Sequence, residues 1–139
     1  MNNALIQGTK EWKELRRNKV GGSDAPVIME VSPWTTPYQL WQQKILGTEK
    51  KQTAVMQRGL DLEQKARDRF SDITGLLVAP SVDFHPDHPW MMASLDAKDI
   101  EGKHIAEIKC PGKHDHDMAV QGLVPEKYYP QLQHQMAVC

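Results

Sequence analysis

Apolar residues recur at helical spacing through the first half of the chain, and in short, turn-bounded runs through the second. Over residues 9–17, Thr9 can cap a helix on which Trp12, Leu15 and Arg16 follow at helical spacing. Gly21-Gly22 interrupts the pattern. Ser23 then stands as the N-cap of a short helix carrying Asp24, Ala25, Val27, Ile28 and Met29, with Pro26 tolerated in its first turn and a stop near Ser32-Pro33. Pro37 opens a third helix with Leu40, Trp41 and Ile45 on one side, and Gly47 closes it. The longest pattern covers residues 53–74, where Leu62, Ala66, Phe70 and Ile73 form an apolar stripe, Glu63 lies beside it and Gly75 is the stop signal.

Beyond Gly75, β-prone runs at residues 76–79, 82–84, 91–97 and 104–110 are separated by turn formers, which predicts an antiparallel sheet. Helical period returns from Pro125 to the end of the chain, with Tyr129, Leu132, Met136 and Ala137 on one side. There is no internal repeat and no linker long enough to divide the chain, so the expectation is one domain over residues 1–139.

Composition narrows the class. With 139 residues, 40% of them apolar, and a net charge of −1, the chain is neither disordered nor fibrous. No apolar run approaches the roughly 20 residues of a membrane span, and the start lacks the basic-then-apolar order of a secretory signal, so a cytoplasmic protein without membrane contact is expected. Cys110 and Cys139 form no C-x-x-C pair, which leaves neither a disulfide framework nor a zinc knuckle. Charge is uneven: residues 10–58 hold nine basic and five acidic side chains, residues 59–139 eight and thirteen. A basic first half suits a polyanion partner, and an acidic second half suits either solubility or carboxylates gathered around a cation.

The densest chemistry lies in residues 93–111, ASLDAKDIEGKHIAEIKCP. Alternate residues of a strand share a face, so Glu107 and Lys109 point one way and Ala106 and Ile108 the other, toward a core. A two-residue turn at Glu101-Gly102 sets Asp96 opposite Glu107, with Cβ atoms about 4.5–5.5 Å apart. Carboxylates so placed repel, and a shared hard cation relieves them; oxygen ligands with no thiolate pair nearby favour Mg²⁺ or Mn²⁺ over zinc. Lys109 can then orient a water or steady charge on a phosphate. A turn with one glycine also permits a bulge that slips the pairing by one residue, and an exposed hairpin face on which the lysine pairs with an acid accounts for the same three residues.

Five motifs stand in order along the chain: G-S-D-A from Gly22, R-G-x-x-x-E-x-x-A-R from Arg58, S-x-D from Ser94, E-I-K-C-P from Glu107 and Y-x-x-Q-L-Q from Tyr128. Together, from about Glu11 to Cys139, they resemble the YqaJ-like viral recombinase, or lambda exonuclease, family of the PD-(D/E)XK nuclease superfamily. The resemblance implies an α/β (α+β) fold with a restriction-endonuclease-like core, in which helices flank a small mixed, largely antiparallel sheet. It places catalytic roles on Asp96, Glu107, Lys109, Glu63 and Gln131, and metal ligation on Asp96, Glu107, the Ile108 carbonyl and Glu63. It also implies a helix beside the active site that carries Gln131 and Gln133. The preceding W-x-x-L-R carries the 5′-phosphate-binding arginine to Arg16, and the serine falls on Ser23. The residues themselves support this, since a helix start after two glycines is an anion site that a guanidinium can complete; an ordinary cap beside a solvated basic helix is the plainer account. Family domains continue past the glutamine helix into a further strand and helix. The sheet is therefore expected to lack its last strand and the domain to be truncated at its C-terminus.

The activity so implied is a Mg²⁺-dependent exonuclease, with Mn²⁺ as a substitute, that digests linear double-stranded DNA 5′ to 3′ from phosphorylated ends in phage-type recombination. A single-strand annealing protein, a ring-shaped homotrimer and a phage or prophage setting follow from the same resemblance. The rivals are an endonuclease or repair nuclease on the same scaffold, and a truncated, inactive DNA-end-binding accessory module. Other features rank lower. Neither the His114/His116 pair nor the His85/His88 pair supplies a full zinc ligand set, and His134 reads as a surface residue. Trp12 and Trp41 read as core, while Trp34 and Trp90 are open to base stacking. Lys50, Lys51 and Arg58 are candidate phosphate contacts, although a solvated loop explains Lys50 and Lys51 equally.

Overall fold

The computed structural model describes residues 5–139. Among them run α1 (Lys10–Arg17), α2 (Ala25–Ile28), α3 (Pro37–Trp41), α4 (Ala54–Thr74), β1 (Val78–Phe84), β2 (Met92–Asp99), β3 (Ile105–Ala106), α5 (Lys113–Val120) and α6 (Tyr129–Val138). The strands form an antiparallel sheet in the order β1-β2-β3, so the mixed α/β class with a small sheet is as expected. An isolated parallel bridge joins Val20 to Met91. The chain falls into two compact units. One comprises the chain up to Lys50 with Val82–Ser94 and Glu126–Cys139, the other Lys51–Ser81 with Leu95–Pro125.

In the first unit Thr9 caps α1, its hydroxyl accepting the Trp12 N–H at 3.3 Å. Ser23 is not a cap. A 3-10 turn, Gly22–Asp24, precedes α2, and Asp24 reaches back to the Gly21 N–H at 2.8 Å. The helix stops at Ile28, earlier than its composition suggests, because the Pro26 carbonyl accepts the N–H groups of Val31 and Ser32 and Glu30 turns left-handed at φ 58°. α3 runs into a π-helical turn, Gln42–Leu46, that Gly47 ends at φ 70°. Its predicted apolar side is not covered: Trp41 and Ile45 are exposed, and Trp41 stacks on Tyr38 instead of entering a core. Lys44 is the residue drawn inward, onto the carbonyls of Arg16 and Lys19. α6 is also rotated from expectation. Tyr129 and Met136 are exposed, while Gln135 and Val138 are buried.

In the second unit α4 is capped by Thr53 and ended by Gly75 at φ 73°. Its inner face is not the predicted stripe, for Ile73 is exposed and Leu62 borderline, whereas Arg67 is 5% exposed and Glu63, Ala66 and Phe70 are half-buried. β1 runs unbroken through Pro80, which an edge strand tolerates. β3 is much shorter than the predicted run at 104–110, because the chain leaves the ladder after Ala106. Helix α5 has no apolar stripe in its sequence, KHDHDMAV, and goes unpredicted; it starts beyond Pro111 with Gly112 at the cap.

Candidate active site

β2 and β3 pair with Ala97 opposite Ala106 and Lys98 opposite Ile105, the register read from the sequence. The turn differs. Residues 100–103 form a four-residue loop, closed where the Asp99 N–H donates to the His104 carbonyl at 3.1 Å and with Gly102 at φ 70°. The buried Asp99 carboxylate accepts the N–H groups of Lys103 and His104 at 2.8 and 3.0 Å and meets His104 Nδ1 at 2.9 Å. Those His104 bonds hold its carboxyl below the ordinary carboxylate range. Lengthening the turn by one residue on each side leaves the pairing unchanged, and Glu107, the first residue beyond the last pair, lies close enough to Asp96 to act on its charge.

There the ladder gives way to side chains. Asp96 Oδ2 accepts the Ile108 N–H at 2.8 Å, and Lys109 Nζ donates to Glu107 Oε1 at 2.5 Å. The Glu107 side chain is 8% exposed, that of Lys109 32%. Burial and the neighbouring charge of Glu107 push the Asp96 carboxyl up to about 6, against the opposing pull of the Ile108 N–H, with Glu63 adding to the rise. Ile108 and Ala106, expected in a core, are half-buried.

Among the described residues no three or more His, Cys, Asp or Glu gather into a cluster able to hold a metal. The hairpin suits a different coordination. Mg²⁺ commonly takes only one or two carboxylates from the protein and completes its shell with waters and phosphate oxygens. Asp96 and Glu107 supply two hard donors, and a divalent cation would offset both the burial of the Asp96 charge and its repulsion by Glu107. The residues present fit such an ion.

Glu63 reaches this region through Arg67. One guanidinium nitrogen donates to Glu63 Oε1 at 2.5 Å, Nε to the Asp96 carbonyl at 2.7 Å, and the third nitrogen to Gln64 Oε1 at 2.6 Å. Arg67 belongs to the R-G motif but received no role from the sequence. The available signal was its i,i+4 spacing from Glu63, which places both on one helix face.

In the first unit Arg16 donates to Ser23 Oγ at 2.7 Å and lies over the Trp12 ring, whose own N–H is fixed on Ser94. Asp24, 4% exposed, pairs with Lys44 at 2.6 Å and lies 3.9 Å from the Arg16 guanidinium. Asp24 and Lys44 were missed as supports. Asp24 is the third residue of G-S-D-A and was legible there, whereas nothing local marks Lys44. Gln131 packs against the same turn. A Cβ at Gly22 would lie 3.5 Å from Gln131 Cγ, an ordinary contact, and 3.2 Å from Gln135 Cγ, which would have to give by a few tenths of an ångström. His134 is half-buried, with Nε2 2.9 Å from the Met92 carbonyl, and is not a surface residue. The His85 and His88 rings lie 4.5 Å apart, and His85 Nδ1 accepts the N–H groups of Asp87 and His88. The structure thus gathers Asp96, Glu107, Ile108 and Lys109 in the second unit, with Glu63 linked to Asp96 through Arg67, and in the first it places Arg16 with Ser23 and Gln131 against Gly22.

Comparison with known proteins gives a consistent picture. A family model described as the YqaJ-like viral recombinase domain matches residues 11–139. The uncharacterized protein YqaJ of Bacillus subtilis (strain 168) is 29% identical over 132 residues, which cover 92% of this chain and 41% of that protein. The chain therefore spans about two fifths of the length of the curated relative it matches. Crystal structures of LHK-Exo, an alkaline exonuclease from Laribacter hongkongensis, one of them in complex with dAMP, are similar at a TM-score of 0.75 and 32% identity over 94% of this chain and 68% of theirs.

Proposed function

Because the chain belongs to the YqaJ-like viral recombinase family, we propose that it serves as a metal-dependent exonuclease, digesting linear double-stranded DNA from 5′-phosphorylated ends in phage-type homologous recombination. The observation that carries this reading is the junction at the end of β3, where Asp96 is fixed on the Ile108 N–H and Lys109 is fixed on Glu107. Similarity to an alkaline exonuclease supports it.

In this reading Asp96, Glu107 and the Ile108 carbonyl would hold Mg²⁺, or Mn²⁺ in its place, with Glu63 assisting. The bound ion would supply Lewis-acid activation of water and relief of charge at the scissile phosphate. Lys109 brings an ammonium to the same face as Glu107, where it would meet the negative charge that grows on the phosphoryl oxygens. Its present partner holds it in place until a phosphate competes for it. Arg16 offers a planar pair of N–H donors to a terminal phosphate, and the Ser23 hydroxyl completes the grip. Gln131 is assigned to the active-site helix by the family pattern. For the whole protein we propose a single-strand annealing protein as partner, a ring-shaped homotrimer as the working assembly and a cytoplasmic setting; among the described residues no helix is long and apolar enough to cross a membrane.

The test is digestion of a linear, 5′-phosphorylated duplex with and without Mg²⁺, beside a covalently closed circle. Release of nucleotides from the linear DNA alone, and only with the metal, is expected. Nicking of the circle would point to an endonuclease, and binding without release to an end-binding module.

A further inference from the structure

Resting on this reading of the metal site, we infer that Arg67 is its positioning residue, clamping the Glu63 carboxylate to the backbone of Asp96. α4 turns a guanidinium inward where its sequence offers leucine and isoleucine, and burying a charge in place of a hydrocarbon rarely favours stability. What the burial achieves is geometric. The planar fork bonds a side chain of its own helix, Glu63, and a carbonyl of β2 at the same time, with Gln64 completing the set. That carbonyl belongs to Asp96, whose carboxylate is already fixed by the Ile108 N–H. Glu63 and Asp96 are thereby tied through one rigid group, so the Glu63 carboxylate loses its rotamer freedom before any metal arrives. Lysine cannot replace this function, since a single ammonium on a flexible stem has no fixed directions in which to hold both partners.

A merely structural strut between helix and strand would leave metal affinity unchanged in a folded variant, which separates the two roles. Mn²⁺ binding to the full chain, without DNA, is read from the electron paramagnetic resonance of the free ion, and folding from urea denaturation. Arg67→Lys should unfold cooperatively and bind Mn²⁺ about 10-fold more weakly, the scale seen when a group that orients a metal ligand is lost. Should Arg67→Lys fail to fold, the pair Glu63→Met and Glu63→Met/Arg67→Met decides, because the double variant leaves no buried charge without its partner. Removing Arg67 should cost no further Mn²⁺ affinity once Glu63 is gone. Wild-type Mn²⁺ affinity in folded Arg67→Lys, or weaker Mn²⁺ binding by Glu63→Met/Arg67→Met than by Glu63→Met, would overturn the inference alone. A wild-type chain that binds no Mn²⁺ would overturn the metal site and the inference together.

Discussion

The carboxylate of Asp96 accepts the backbone N–H of Ile108 at 2.8 Å, two residues beyond the end of β3. A side chain thus takes a hydrogen bond at the point where the strands stop pairing regularly. The same contact fixes the carboxylate and the backbone of the residue whose carbonyl is proposed as a metal ligand. Asp96 is held there although burial and Glu107 both disfavour its charge. Function and stability therefore pull in opposite directions at one residue.

Asp96→Asn exposes that conflict. It keeps an oxygen for the Ile108 N–H and removes the charge. The carboxyl titrates near 6 in the folded protein, against an ordinary value of 3.8. The folded state thus binds the proton more tightly, and this group's contribution to stability is fully present below about pH 4 and lost as pH rises through about 6. At neutral pH the metal-free variant should be more stable than the wild type by about 1–3 kcal/mol, and below about pH 4 the difference should vanish. Nucleotide release should be abolished. Urea unfolding at the two pH values checks the first claim, and equal midpoints at neutral pH would reject it.

How much of this was legible in the sequence depended on what each residue faces. The register of β2 and β3 was readable because period-2 alternation and a centred turn fix it, and it survived a loop longer than expected because the extra residues fell evenly about the centre. The faces of α4 and α6 were misplaced because hydrophobicity assumes that apolar residues turn inward. Here Arg67 and Glu63 turn inward beside Ala66 and Phe70, and Gln135 beside Val138, while Ile73, Tyr129 and Met136 face out. Buried polar side chains leave no hydropathy signal. The support that Lys44 gives was unreadable for another reason, since its partners Arg16, Lys19 and Asp24 are distant in sequence.

Lys109→Ala and Glu107→Ala should each lower nucleotide release by about 100-fold or more, the scale for losing a group that stabilises charge in the transition state. The Lys109 side chain is 32% exposed, so the circular dichroism spectrum of Lys109→Ala should match the wild type. Turnover within a few-fold of wild type in either variant would remove that residue from the site.

Asp99 acts at a distance through the hairpin. Its carboxylate binds two N–H groups of the loop and the His104 ring, which keeps its pKa low. The sign is opposite to that of Asp96: its contribution is present above the ordinary carboxylate range and lost as pH falls through the lowered folded value. Asp99→Ala should lower the thermal midpoint at neutral pH and less so in acid. It should also reduce nucleotide release about tenfold, because a small shift in register displaces Glu107 and Lys109 from Asp96. A thermal midpoint unchanged at neutral pH would show that the loop holds its register without this carboxylate.

The phosphate site offers a cleaner separation of chemistry from support. Arg16 is accessible enough to meet a ligand, whereas Lys44 spends its ammonium on Asp24 and two backbone carbonyls. Arg16→Ala should therefore reduce the preference for a 5′-phosphate over a 5′-hydroxyl end by about tenfold, the worth of a hydrogen bond to a charged group, with little change in stability. Lys44→Met should instead destabilise by about 2–4 kcal/mol, because the buried Asp24 carboxylate loses its nearest cation and keeps only Arg16 at 3.9 Å. Adding Asp24→Asn to Lys44→Met removes the stranded charge and should recover most of that loss, since Asn still offers an oxygen to the Gly21 N–H. Denaturation of the two variants side by side, with end preference measured on both, decides the matter. Full phosphate preference in Lys44→Met but not in the double variant would show that the Asp24 charge itself holds Arg16 in place, and full preference in both would assign that task to Ser23 and Trp12.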